Sequence, residues 1–303
     1  MKTALYFILS VSCLLFGSCK PSEPQTLADL PRVDAALSMH YAERSVAFGE
    51  RHSGSARIAE YAQWIRDTAA QNKKFQVSVQ TFSEQTPQGK ITFRNITAEI
   101  PGKSSDFVIV GAHYDTKQFL TFSGFQGAND GASGVAAALS MIRALEQWNE
   151  KPPVGIRFIF FDGEEAFVSY SANDGLHGSR HAAARLKDSG ELKQCRGMIL
   201  MDMIGDKELD LTLSADTSPD LLKKLDRICA RMFPDLKKKR LDYEILDDHV
   251  PFQKIGIPAI DLIDFNYGPS HSYWHTDWDT LDKISGKSMK TVAELVFALI
   301  WSL

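Results

Sequence analysis

Four short runs of nearly unbroken apolar residues constrain this chain more than any other feature: Phe107–Ala112 (FVIVGA), Ile156–Phe161 (IRFIFF), Met198–Ile204 (MILMDMI) and Ala259–Ile263 (AIDLI). They lack the polar alternation of a half-wetted strand, so each suits a strand buried on both faces. Helical spacing fills the intervals at 131–148 and 219–233 and extends to 33–48, 55–71 and 286–302. In the second of these flanking segments Ile58, Tyr61, Ala62, Ile65 and Ala69 fall three and four residues apart, with Ser53 and Ser55 as candidate caps. Strands alternating with helices predict an α/β fold with a mostly parallel sheet.

Phe75, Val77 and Val79 alternate with polar residues, which predicts a half-buried strand paired with 91–100 across a turn at Pro87-Gln88-Gly89. Residues 241–246 read as an edge strand, and Lys237–Arg240 (KKKR) as a small solvated patch. With 34 Lys and Arg against 38 Asp and Glu, the net charge of −4 gives no electrostatic footprint for nucleic acid. Beyond the N-terminus no stretch approaches the ~20 apolar residues that a spanning helix needs.

The first residues read as an address. Met1-Lys2 precede an apolar run from Ala4 to Phe16, then Gly17-Ser18-Cys19. A positive start, a short apolar segment and small residues describe a secretory signal, and this ending resembles a bacterial lipobox. The expected organisation is a signal peptide over 1–18, a lipidated Cys19 with a polar, proline-bearing tether to residue 31, and a folded body over 32–303. That predicts a periplasmic protein of the bacterial cell envelope, touching the membrane only through lipid on Cys19. Cys195 and Cys229 are the cysteines of the body. Their pairing is left open by sequence, as is the oligomeric state.

Acidic residues and histidines gather where the buried runs end. His113-Tyr114-Asp115 follows the first run, and Gly127–Gly134 (GANDGASG) leads into a helix. Asp162-Gly163-Glu164-Glu165 follows the second run, Asp202 lies in the third, and Trp274-His275-Thr276 comes near the C-terminus. The C-terminal edge of an open α/β sheet is where ligands bind. Zinc takes imidazole nitrogen and carboxylate oxygen, and a catalytic zinc keeps one position open. Neighbouring residues in extended backbone point in opposite directions, so one of Glu164 and Glu165 can bind metal while the other moves protons.

With these residues in view the chain resembles the zinc aminopeptidase family and, within it, the glutaminyl cyclase branch. The matching stretches are HYD (113–115), GANDGASG (127–134), FFDGEEAF (160–167), GSRH (178–181), MDMIGD (201–206), DDHVPF (247–252) and WHT (274–276). The branch is marked by the long insert between Glu165 and Gly178, by Asp247-Asp248-His249-Val250-Pro251-Phe252, and by Trp274 directly before His275. Tyr170 stands where animal cyclases carry a tryptophan, and the cysteine pair of the animal enzymes is missing.

The resemblance implies a single-domain three-layer sandwich, with a central mixed, mostly parallel twisted sheet between helices. It implies one zinc per chain held by Asp130, Glu165 and His275, with Glu164 as general acid/base. Asp202 and Asp247 join a proton-handling network, with the acid at Asp247 hydrogen-bonded to that at Asp202, and Trp274 and Tyr170 line the glutamine pocket. The implied reaction converts the N-terminal glutamine of peptides or proteins to pyroglutamate and releases ammonia. The competing reading is a two-zinc aminopeptidase, in which His113 and Asp202 complete a second site. Lys117, Arg180 and His181 read as structural, and Asp248 and His249 as a turn and cap. Phe119, Phe122 and Phe125 read either as a cover over the site mouth or as a satellite core.

Overall fold

The computed structural model describes residues 24–303. The expected signal peptide, Cys19 and the first part of the tether lie outside the described residues. Residues 24–31 carry a 3₁₀ turn, Leu27–Asp29, closed by a reciprocal Thr26/Asp29 cap, and end on a fully buried Leu30.

Eight strands form one sheet: β1 (Gln76–Thr86), β2 (Gly89–Ile100), β3 (Phe107–His113), β4 (Gly155–Phe161), β5 (Cys195–Asp202), β6 (Asp210–Leu213), β7 (Lys237–Arg240) and β8 (Ala259–Ile263). Their order is β1-β2-β4-β3-β5-β8-β6-β7. The central quartet β4-β3-β5-β8 is parallel throughout, as the buried apolar runs predict. β1 and β2 add an antiparallel hairpin at one side, and β6 with β7 closes the other. The sheet is therefore mixed.

Seven helices cover it: α1 (Ala35–Val46), α2 (Ala56–Ala69), α3 (Ala132–Gln147), α4 (His177–Ser189), α5 (Pro219–Met232), α6 (Val250–Lys254) and α7 (Gly286–Trp301). The larger core joins one sheet face to α1, α2, α3, α5 and α7; a smaller one joins the other face to α4 and α6. Three layers result. Helix starts follow the chemistry of orphan N–H groups. Asp34 accepts from Ala36 and Leu37, Ser55 from Ile58, and Ser285 from Ser288. Ser53, the other candidate cap, instead donates to Asp162 at 2.6 Å. α7 buries eleven side chains. At about 1.5–3 kcal/mol for each large apolar side chain, that contact is a main anchor of the layer beneath the site.

Two expectations fail at the β6/β7 side. Lys237–Arg240 is a strand, paired in parallel with β6, and not merely a solvated patch. Residues 241–246 form a loop that lies over the ends of β6 and β8, not an edge strand. Cys195 and Cys229 are both buried and free, so they do not pair.

Candidate active site

The quartet is registered His113↔Phe161, Gly111↔Leu200 and Asp202↔Ile263, so His113, Asp162, Asp202 and Asp264 all stand at its C-terminal edge. Several segments beyond that edge are held by buried carboxylates. After β4, Asp115 accepts the N–H of Glu164 with one oxygen and that of Glu165 with the other, both at 3.1 Å. The loop that follows is folded around Asp174, which accepts from the N–H groups of Phe167, Val168 and Ser169 at 2.6, 2.8 and 2.9 Å. The turn brings Tyr170 back over the site, where its hydroxyl donates to Glu164 Oε1 at 2.9 Å.

Asp130 is fixed in the same way. Asp279 accepts from the N–H groups of Asn129 and Asp130 at 2.7 and 3.1 Å, and from the Tyr267 hydroxyl at 2.8 Å. Asn129 Oδ1 accepts the Gly205 N–H at 2.7 Å, which ties this turn to the end of β5. Gly131 has φ 89°, and a Cβ there would stand 2.6 Å from the Asp115 carbonyl oxygen, so only glycine fits between Asp130 and α3. Arg51, fully buried, donates to the carbonyls of Gln126 and Gly127 at 2.7 Å each and fastens the preceding loop.

His275 reaches the site from the loop after β8. Its backbone is left-handed, φ 55°, a conformation that costs a non-glycine residue about 1–2 kcal/mol. The ring is stacked on Trp274 at 4.0 Å and met edge-on by Phe119 and Phe125. Met203, the residue after Asp202, is also left-handed at φ 44°. Strain of this kind concentrates where packing fixes functional groups.

The side chains converge. His275 Nε2 lies 3.0 Å from Glu165 Oε1 and 3.3 Å from Asp130 Oδ2, and one donor atom from each of the three falls within 4.8 Å of the others. His113, Asp130 and Asp202 form a second such group, with His113 Nε2 at 3.3 Å from Asp130 Oδ1 and 3.1 Å from Asp202 Oδ1. Asp130 thus belongs to both. One imidazole and two carboxylates, turned toward one another from three distant segments, fit a divalent ion of borderline softness.

The charges sort the acids. Burial pushes Asp130 up, but hydrogen bonds from His113 and His275 outweigh it and hold its carboxyl below the ordinary range. Burial, followed by the neighbouring Glu165 charge, drives Glu164 well above the usual carboxylate range. Asp247 is also driven well up, by burial and then by Asp261, Asp202 and Glu164; Asp202 is raised by burial. Adjacent Glu164 and Glu165 therefore differ in character: one faces His275 as a ligand-type carboxylate, and the other is disposed to hold a proton.

A cleft of about 250 Å³ opens over these groups. Asp130, Glu164, Glu165, Asp202, Asp247 and His275 line its floor, and Tyr170, Ile245, Phe265 and Trp274 its walls. All eight residues singled out for the site thus meet at one cavity. Asp247 accepts the Asp248 N–H at 2.5 Å, and Asp202 Oδ1 lies 3.1 Å from His113 Nε2. Asp248 and His249 are fully buried, and neither side chain caps α6. Lys117 is more than structural filler, since its ammonium lies 3.4 Å from Glu165 Oε2 and donates to the Ala166 carbonyl at 2.5 Å. Phe119, Phe122 and Phe125 form one ring cluster against His275. Arg180 donates to the Ser171 carbonyl and His181 stacks on Phe82, both away from the cleft lining.

Sequence reasoning gave no role to Asp115, Asp174, Asp279 and Arg51. Asp115 carried a signal, standing two residues beyond His113 at a strand end. Asp279 and Arg51 reveal themselves only through backbone partners far along the chain, and Asp174 only through the N–H groups of the loop just before it.

Sheet order, layers and site together define an α/β enzyme of the zinc-aminopeptidase-like class. Comparison with known proteins narrows this. The family model for Peptidase family M28 matches residues 95–300. A glutaminyl cyclase structure from an Acidobacteriales bacterium superposes with a TM-score of 0.80 at 33% identity, covering 89% of this chain and 94% of that one. The Porphyromonas gingivalis glutaminyl cyclase gives 0.76 at 26%, covering 88% and 98%. The glutaminyl-peptide cyclotransferase of Bos taurus is 27% identical over 258 residues, 73% of this chain and 69% of the relative. The chain belongs to peptidase family M28 and, within it, to the glutaminyl cyclases.

Proposed function

We propose that this protein is a glutaminyl-peptide cyclotransferase that uses one zinc ion to convert N-terminal glutamine into pyroglutamate with release of ammonia. The observation that carries the reading is the meeting of Asp130, Glu165 and His275 within 4.8 Å, with Glu164 lining the same cleft. Those three residues would hold the ion, and Glu164, Asp202 and Asp247 would work on the substrate. When bound, zinc supplies Lewis acidity toward the γ-carboxamide oxygen.

The rest falls to the chain's own groups. The cleft positions the glutamine between Trp274 and Tyr170, so that the peptide's α-amine meets its own γ-carbon. Because nucleophile and electrophile share one residue, freezing that conformer contributes several kcal/mol of barrier lowering. Glu164, made a stronger base by burial and the neighbouring Glu165 charge, takes in its ionised form one proton from the amine as the new C–N bond forms. It returns that proton to the departing nitrogen as the old C–N bond breaks, and ammonia leaves. Tyr170 holds Glu164 through its hydroxyl. Asp202 and Asp247, both raised first of all by burial, supply a protonated partner that keeps negative charge from accumulating beside Glu164.

The group His113, Asp130 and Asp202 supports a second reading, the two-zinc aminopeptidase, in which a water would replace the tethered amine. Incubation with a Gln-initiated peptide separates the two. Stoichiometric ammonia, an intact peptide lighter by 17 mass units and one zinc per chain support the cyclase. Free glutamine and two tightly held ions would replace it with the peptidase.

The N-terminal sequence supports an address as well. A positive start, an apolar run and Gly17-Ser18-Cys19 favour export to the bacterial envelope and anchoring through lipid on Cys19. Among the described residues no helix is long and apolar enough to cross a membrane.

A further inference from the structure

Proton transfer and metal binding use the floor and inner walls of the cleft and leave its mouth without a task. Of the residues that line the cleft, four are exposed: Tyr170, Tyr243, Glu244 and Leu246. Three of them belong to the loop 241–246. Tyr243 is 53% exposed and Leu246 48%. A lone apolar side chain in water needs no explanation, but several around one opening mark a binding surface.

The loop holds these side chains in place. The Leu241 N–H donates to the Leu213 carbonyl at 3.0 Å, the Ala215 N–H to the Tyr243 carbonyl at 3.1 Å, and the Ile245 N–H to Ser214 Oγ at 2.8 Å. Ile245 is buried in a small core with Met203, Ile263 and Tyr267. The backbone is thus anchored at 241, 243 and 245, while the side chains of Tyr243 and Leu246 stand in water at the cleft edge. A surface set in advance loses little freedom when a ligand arrives.

Space decides what reaches it. The cleft offers about 250 Å³, below the ~300–1,000 Å³ of pockets that enclose a drug-sized ligand. Once a glutamine side chain is directed at the floor, the rest of the peptide leaves through the mouth. The first side chain to cross the mouth is that of the residue after the glutamine.

Charge narrows the choice further. Asp130, Glu164, Glu165, Asp202, Glu244 and Asp247 line the cleft, and among the described residues no lysine or arginine does. Glu244 stands at the mouth itself, and Asp242 is exposed two residues earlier. An apolar side chain leaving the cleft therefore meets Tyr243 and Leu246, whereas an acidic one meets apolar surface and like charge.

The geometry points to Tyr243, Glu244 and Leu246 as the subsite that reads the residue after the N-terminal glutamine, favouring an aromatic or aliphatic side chain and disfavouring an acidic one. This rests on the cyclase reading and adds to it the class of peptide taken.

The zinc-loaded enzyme is assayed for ammonia release from three peptide amides: Gln-Phe-Ala, Gln-Gly-Ala and Gln-Glu-Ala. For Gln-Phe-Ala, kcat/KM should exceed that for Gln-Gly-Ala about tenfold, the lower end of what an apolar pocket discriminates. Gln-Glu-Ala should fall about threefold below Gln-Gly-Ala, the size of a screened surface charge effect, and recover as salt rises. Tyr243→Ser should reduce the Phe/Gly ratio to about threefold or less. Leu246→Lys sets an ammonium at the mouth and should lift Gln-Glu-Ala above Gln-Gly-Ala by about threefold, a gain that misfolding cannot produce. Equal kcat/KM for the three peptides overturns the subsite and leaves the cyclase reading standing, as do ratios that stay at their wild-type values in both variants. No ammonia from any of the three overturns the cyclase reading and the subsite with it.

Discussion

Asp115 accepts the backbone N–H of Glu164 at 3.1 Å, and its second oxygen accepts the next N–H, that of Glu165, at the same distance. One carboxylate thus sets the spacing between the proposed acid/base and the proposed ligand. The positioning lies in the backbone, which explains why two adjacent glutamates can keep separate tasks. Asp115→Asn turns one acceptor into an NH₂ donor that faces an N–H. The expected loss is about 1–3 kcal/mol of stability for the unmatched buried pair. Zinc affinity and kcat/KM should each fall about 10–100-fold, the usual cost of removing a group that orients a ligand. Thermal unfolding of the apo and zinc-loaded variant and a chelator titration measure these effects; wild-type zinc affinity would refute the positioning role.

Glu164→Gln separates proton transfer from metal binding. The amide keeps the shape and can still accept from the Tyr170 hydroxyl, but it cannot shuttle a proton. Turnover of a Gln-initiated peptide should fall by about 10²–10⁴. Zinc content should remain that of the wild type, because Asp130, Glu165 and His275 are untouched. A variant that loses its zinc would place Glu164 among the ligands.

Metal affinity should rise with pH. Burial alone would lower His275, but Glu165 and Asp130 outweigh it and push it up to about 10. The metal-free ring therefore carries its proton throughout the neutral range, and the ion must displace it. Linkage gives the sign: one proton leaves per ion bound, so apparent affinity strengthens about tenfold per pH unit between pH 6 and 8. The same shift makes a stability statement for the metal-free chain. The raised histidine stabilises the fold fully below its unfolded pKa, and that contribution is lost as pH rises through about 10. Chelator competition at several pH values, with proton release followed in weak buffer, checks both the slope and the count.

Lys117 offers a subtler test. Its ammonium stands 3.4 Å from Glu165 Oε2, while Oε1 faces His275. The lysine engages one oxygen and leaves the other for the ion. Lys117→Met should free the second oxygen, so zinc is held more tightly while kcat falls about tenfold as the more anionic site loses Lewis acidity. Lys117→Arg should restore most of the rate. Equal loss in both variants, with unchanged zinc affinity, would reduce Lys117 to a loop support through the Ala166 carbonyl.

Much of this was legible in the residues, and the parts that were not share a physical cause. β3, β4, β5 and β8 announce themselves because burial on both faces admits almost nothing polar. β7 cannot, because an outer strand owes its existence to main-chain bonds with β6 and leaves its side chains in water. Residues 241–246 have a strand-like pattern, yet Ile245 and Leu246 turn to the cleft, and the backbone bonds singly to Leu213, Ser214 and Ala215. The proposed ligands could be read from motifs because metal-binding chemistry demands those side chains. The carboxylates of Asp115, Asp174 and Asp279 could not, because they grip N–H groups that every residue has, at positions set only by folding.

Tyr170 provides the last test, since it is where the chain departs from the animal cyclases. The residue is 39% exposed, yet its hydroxyl reaches Glu164 at 2.9 Å. Burial and then the Glu164 charge push the phenol well above its ordinary range, so it stays protonated and remains a donor. A donor aimed at a carboxylate favours the ionised form. Removing it in Tyr170→Phe should raise the apparent pKa of Glu164 further. The ionised glutamate is the form that accepts the amine's proton, so the acidic limb of kcat/KM should move to higher pH. A hydrogen bond worth about 1 kcal/mol corresponds to a displacement of about 0.7 unit. The ring wall survives in Phe, so the plateau KM for a Gln-initiated peptide should change less than threefold, roughly the effect of a weak rim contact. If the limb stays in place while KM rises sharply, Tyr170 serves the pocket and not the proton.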